Sequence, residues 1–197
     1  MAKDTRTRMI ETTARLLQHR GYYGTALSDI LDASAAPRGS LYFHFPGGKD
    51  QLVVEATRAT VEATTAALIG AIEAAKTPAA AVRAYTEGAA ELMRASNYTF
   101  GCPVAPVILD AEGGLKELSE LCRTTLQSWT GLLHGAFMRA GIPKKRADAL
   151  AHLVVSSIEG LLVVARAYRD VTPMLTVAAE LERIVAAATP KKPSRKA

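Results

Sequence analysis

Apolar residues recur at helical spacing along nearly the whole chain, beginning with Met9, Ile10, Thr13, Ala14, Leu16 and Leu17 on one face of a helix over residues 8–20. A second, short helix carries Ile30 and Leu31 inward, with Ser28 placed as its N-cap and its end near Ala35. Pro37 cannot continue that helix and disfavours the helical conformation at Ala36, yet its fixed φ suits the opening of another. The restarted helix runs from Arg38 to about His44, with Leu41 and Phe45 inward and Arg38, Ser40, Tyr42 and His44 outward. Longer helices then follow. The pattern predicts one over 50–75, a second opened by Thr77-Pro78 and running to about 95, and only short helical turns over 101–110, where Pro103 and Pro106 remove backbone donors. Gly113-Gly114 marks a loop, a helix over 115–140 stops at Gly141, and two more occupy about 143–168 and 172–188. Beyond residue 50 no stretch alternates with period two, so the expected fold is all-α.

The short helix, tight turn and polar second helix between Thr25 and Leu52 read as a helix-turn-helix whose second member is a recognition helix. The run Gly39-Ser40-Leu41-Tyr42-Phe43-His44-Phe45 followed by Lys49, with Gly21-Tyr22-Tyr23-Gly24-Thr25 upstream, resembles the N-terminal signature of the TetR family of bacterial repressors. Three positions depart from that signature: Ala35 where the turn often has glycine, Phe43 where tyrosine or histidine is frequent, and a Gly47-Gly48 linker one residue longer. The resemblance implies a DNA-binding domain over 1–49 and a helical ligand-binding and dimerisation domain over 50–189. Arg38 and Ser40 are the candidates for base edges, Pro37 and Gly39 for close backbone approach, and Thr25, Ser28, Tyr42, His44 and Lys49 complete the expected DNA contacts.

Charge supports this division. Residues 1–50 carry seven basic and five acidic side chains, residues 51–189 thirteen and fourteen, and Lys191, Lys192, Arg195 and Lys196 make the end basic. A polyanion is therefore expected to meet the N-terminal segment, with a tail, 190–197, that is expected to be disordered as a second basic stretch. Lys3, Asp4, Arg6 and Arg8 interrupt any N-terminal apolar run, so a cytoplasmic protein is expected, in which Cys102 and Cys122 stay free thiols.

The helix around 150–167 is apolar on nearly all sides, more than one core-facing stripe requires. Glu159 within it and Asp148, Arg166 and Arg169 around it leave too short a clean run for a bilayer. The expected partner is the same helix of a second subunit, with Val154, Ile158, Leu161, Leu162, Leu181 and Ile184 at the interface of a homodimer. Gly101-Cys102-Pro103-Val104-Ala105 is similar to a motif of one branch of the family, the LmrA-like repressors, and implies a ligand-sensing domain. Its expected lining is Tyr85, Met93, Tyr98, Phe100, Cys102, Trp129, Leu133 and Phe137, suited to a small apolar or aromatic molecule. His19, His44, His134 and His152 show no metal-ligand spacing, so neither metal nor cofactor is expected, and no hydrolase, metalloprotease or complete phosphate-loop motif is present. The sequence thus reads as a ligand-responsive repressor that releases a palindromic double-stranded DNA operator. The alternative is a helical small-molecule-binding protein with a vestigial DNA module.

Overall fold

The computed structural model of the chain describes residues 4–110 and 116–190. The loop expected at Gly113-Gly114 and the basic tail beyond Pro190 lie outside the described residues. Those described form an all-α fold, with α1 (Thr5–Arg20), α2 (Leu27–Ser34), α3 (Arg38–His44), α4 (Gly48–Ala74), α5 (Pro78–Ala95), α6 (Ala105–Asp110), α7 (Lys116–Arg139), α8 (Lys144–Tyr168) and α9 (Thr172–Ala188). The chain divides into two compact units, Met1–Thr65 with Thr99–Thr125, and Ala66–Tyr98 with Leu126–Ala197.

In the first unit, Asp4 caps α1 by accepting from the Thr7 backbone N–H at 2.8 Å, which satisfies one of the orphan donors of that helix. Met9, Ile30, Ala36, Leu41, Phe45 and Leu52 form its buried core, with Ile10, Leu16, Leu27 and Leu31 packed around them. Gly21 ends α1 at φ 68°, ψ −172°, a conformation essentially restricted to glycine. The chain then passes α2 into a left-handed turn at Ala35, φ 49°, ψ 41°. This is the position where the sequence departs from glycine, and the left-handed alanine costs about 1 kcal/mol. Pro37 stands one residue before the first turn of α3, as its cap position, rather than inside the helix. Short α6 follows Pro103 and carries Pro106 near its start, as the proline spacing predicts.

In the second unit, Thr77 caps α5 by accepting from the Ala80 N–H at 3.1 Å. Val82, Ala89 and Met93 of α5, Leu150, Val154, Ile158 and Ala165 of α8, and Met174, Ala178, Leu181 and Val185 of α9 are buried. By length and composition α8 could cross a membrane, but it packs against α5 and α9. Val154, Ile158, Leu161, Leu162 and Leu181, expected at a subunit interface, are buried within the protomer, and Ile184 is half-buried. Within one protomer these side chains therefore pack chiefly against their own core, with Ile184 keeping part of its surface. The apolar positions that α8 leaves exposed lie on its opposite side, including Leu153, 43% exposed, and Val163, 67% exposed.

Candidate nucleic-acid interface

Seven residues make barely two helical turns, too short to be stable alone, so α3 is held in place by what it buries. Leu41 and Phe45 are its anchors, both fully buried, and Arg6 lies with its guanidinium 5.4 Å from the Phe45 ring centroid. At 3.6 residues per turn, Gly39 and Phe43 project about 160° and 200° from Leu41, so they mark the centre of the outward face. Arg38, Gly39, Tyr42 and Phe43 are exposed and Ser40 and His44 half-buried. Tyr42 is 56% exposed and Phe43 80%, with the Phe43 ring edge-on to His44 at 4.9 Å between centroids. A side chain added at Gly39 would meet nothing within 4 Å, so the gap in the surface is not required by packing. The turn, the buried anchors and the free face together form a surface that can enter a groove of DNA.

Around α3 the structure distinguishes free from committed side chains. Thr25, expected to contact DNA, is buried, and its hydroxyl donates to the Gly21 carbonyl at 2.7 Å. Its backbone N–H is likewise engaged, with the Tyr22 carbonyl at 3.3 Å. Thr25 closes the turn after α1 instead of reaching outward. Ser28 is exposed but does not cap α2: Ala26 holds the cap position with extended backbone, and no side chain bonds there. Because the helix already begins at Leu27, Ser28 is its second residue and its hydroxyl lies on the surface of the first turn.

Lys49 is half-buried, with its ammonium 4.4 Å from the Tyr22 ring centroid and one N–H donated to the Tyr22 carbonyl at 3.3 Å. Burial pulls its pKa below the ordinary lysine value, and the neighbouring Asp50 carboxylate works in the opposite direction. The Tyr22 hydroxyl donates to Asp50 at 2.7 Å, and burial followed by that bond pushes its pKa up to about 12. Tyr22, Lys49 and Asp50 thus pin the start of α4 to the turn after α1. Tyr23, edge-on to Tyr22 at 5.2 Å, is exposed beside this bracket. The sequence reading missed Tyr23 and treated Phe43 only as a departure. For Phe43 the available signal was its position nearly opposite Leu41.

A groove of about 480 Å³ on the same unit is lined by Gly47, Asp50, Gln51, Val54, Glu55, Arg58 and Glu117. Arg58 is paired to Glu117 at 3.6 Å and Glu55 also bonds Arg6, so three carboxylates outweigh the cation and the groove has the wrong sign for phosphate.

The residues expected around a ligand fall in both units, and each is placed by its own unit. Trp129, Leu133 and Phe137 are buried along one face of α7, Met93 is fully buried on α5, and Tyr85 and Tyr98 are half-buried. Arg169 lies 5.3 Å from the centroid of the Tyr98 ring. In the first unit Phe100 is half-buried and Cys102 buried, its sulfur accepting from the Val104 and Ala105 N–H groups at 3.4 Å each. Among the described residues no group of three His, Cys, Asp or Glu side chains could hold a metal ion.

The chain matches the family model of bacterial regulatory proteins of the tetR family over residues 9–56 and that of the LmrA/YxaF-like transcriptional regulator C-terminal domain over residues 78–180. It is 32% identical to the HTH-type transcriptional regulator LmrA of Bacillus subtilis, over 88% of this chain and 93% of that protein. With an uncharacterized HTH-type transcriptional regulator of Mycobacterium tuberculosis it shares 33% identity over 95% of this chain and 97% of the other. Its fold is similar to that of a TetR transcriptional regulator from Chloroflexus aurantiacus, at TM-score 0.79 and 24% identity over 94% of this chain and 96% of that one. A TetR regulatory protein from Rhodobacter sphaeroides superposes at TM-score 0.82 with 21% identity, over 90% and 96% of the two chains.

Proposed function

This chain belongs to the TetR family of bacterial transcriptional regulators, DNA-binding proteins and not enzymes, and from that premise we propose a homodimeric repressor that leaves a palindromic operator when a small apolar or aromatic molecule binds. The observation that carries the proposal is the outward face of α3, polar and aromatic over the buried Leu41 and Phe45. In this reading the reading head is residues 1–49 and the rest of the helical chain, to residue 189, senses ligand and dimerises. Arg38 and Ser40 meet base edges, Pro37 and Gly39 let the backbone approach, and Ser28, Tyr42, His44 and Lys49 face phosphates. Lys49 keeps two N–H donors beyond the one given to Tyr22.

The dimer rests on the exposed side of α8. Ala149, Leu153, Ser156, Gly160, Val163 and Ala167 are all exposed and alternate four-three along the helix, the spacing of a seam between two helices. Small residues in that seam allow close approach of the same helix from a second copy. A two-fold pair of recognition helices then calls for two inverted half-sites. Leu175 extends the apolar surface onto α9.

Ligand response is supported by the match of residues 78–180 to the LmrA/YxaF-like C-terminal domain, the stretch that holds Trp129, Leu133 and Phe137, whose buried apolar face would open to admit such a molecule. Helix α4 leaves the end of α3 and contributes residues to both units, so a ligand that tilts it changes the spacing of paired reading heads. A ligand that prefers the displaced state about a hundredfold shifts the balance by about 2.7 kcal/mol, enough to release many operators. Selection of bound duplexes from a random pool tests the whole reading: an enriched inverted repeat is the expected result, and no enrichment over scrambled duplex refutes it.

A further inference from the structure

Phe43 is more exposed than any other described aromatic side chain, yet it stands at the middle of the surface built to meet DNA. A phenyl ring has no donor or acceptor, so unlike Tyr42 and His44 it gains nothing from a phosphate oxygen. The edges of base pairs in the major groove are almost entirely hydrogen-bonding groups, and the one apolar group among them is the C5 methyl of thymine. From this pairing we infer that Phe43 is a specificity-determining residue that reads a thymine by contact with its methyl group.

Three observations favour this occupant. The ring is on the outward face, about 200° from Leu41, so it is the side chain that advances with α3 into a groove. Gly39 lies one turn before it on the same side, and helical side chains lean toward the N-terminus, so no intervening side chain holds the ring off a base edge. His44 stands edge-on to the ring at 4.9 Å, which limits the orientations that DNA binding must still suppress. The contact would leave Arg38 and Ser40 to read polar edges nearby, while Phe43 rejects cytosine and the purines for want of a methyl.

The inference rests on the repressor reading, and its test keeps the two apart. A duplex enriched by the full-length protein from a random pool is remade with each thymine in turn replaced by deoxyuridine, which removes only the methyl. Wild-type protein should bind one replacement in each half-site about fourfold more weakly, the worth of one buried methyl. Phe43→Ala should bind the thymine and uracil duplexes equally. Phe43 is not part of the core, so the variant keeps its helical circular dichroism; Phe43→Gln gives the same comparison should Phe43→Ala fail to fold. Enrichment of a duplex in which no uracil replacement weakens wild type, or in which wild type and both variants lose equally, overturns the inference while leaving the repressor standing.

Discussion

The backbone N–H of Tyr23 donates to the side chain of Asp110 at 3.3 Å, tying the turn after α1 to the end of α6 across 87 positions of sequence. Gly21 lies against the same carboxylate: a Cβ there would fall 2.2 Å from Asp110 Oδ2. The carboxylate can rotate away, but the backbone at φ 68° cannot accept a side chain without strain. Gly21→Ala should therefore cost about 1–3 kcal/mol in denaturant unfolding, and most of that cost should persist in an Asp110→Ala background. Full relief by Asp110→Ala would show that the collision, not the backbone, sets the requirement.

Ala35 offers the opposite case. Its left-handed conformation is one that glycine adopts freely, so Ala35→Gly should raise stability by about 0.5–1 kcal/mol despite the added entropy of the unfolded chain. Chemical denaturation followed by circular dichroism measures the shift in midpoint. Operator affinity should hold, because the turn keeps its geometry.

At Gly39 stability and binding should separate. A methyl group there meets nothing in the free protein and improves helix propensity by as much as about 1 kcal/mol. Gly39→Ala should thus melt no earlier than wild type, yet bind its selected duplex at least about tenfold more weakly, equivalent to about 1.4 kcal/mol lost to a crowded backbone approach. Gel-shift titration and a thermal melt on the same preparation decide it.

Position along α8 decides what an introduced charge does. Val163→Glu alters an exposed side chain and should yield a folded monomer in light scattering, whereas Leu161→Glu places a carboxylate among buried residues, at a cost of several kcal/mol, and should unfold the second unit. A Val163→Glu protein that remains dimeric at micromolar concentration would remove the exposed seam from consideration.

Cys122 is fully buried on α7, and burial pushes its thiol up to about 11. At pH 8 it should resist alkylation in the native protein and react readily in denaturant, since the thiolate is the nucleophile. Mass spectrometry of iodoacetamide-treated protein reads the difference directly.

Helix ends were legible because capping is local. Thr77-Pro78, Gly141 and Pro143 each act on neighbouring backbone groups, and the structure bounds α5, α7 and α8 at them. The inward anchors Leu41 and Phe45 were equally plain, being the apolar positions of an otherwise polar stretch. Hydroxyl roles were not. Thr25 and Ser28 carry the same group three residues apart, and which one turns inward depends on the Gly21 carbonyl four residues before Thr25, whose direction is set by a positive φ that the hydroxyl residues themselves do not announce. On α8 the sequence supplied apolar residues on both sides, and periodicity has no means of saying which stripe faces α5 and α9 and which faces out. The choice was made by packing, and it assigned Val154 and Ile158 inward and Leu153 and Val163 outward.

Helix α3 owes its order to two anchors, so its amides should exchange with solvent through the same opening as the cluster of Met9, Ile30 and Leu52 rather than by fraying on their own. Occupancy of DNA then becomes a gauge of the interior of the first unit. A conservative truncation such as Ile30→Val, far from any base, should quicken deuterium uptake across Arg38–His44, and with it set the fraction of molecules able to hold an operator at any instant.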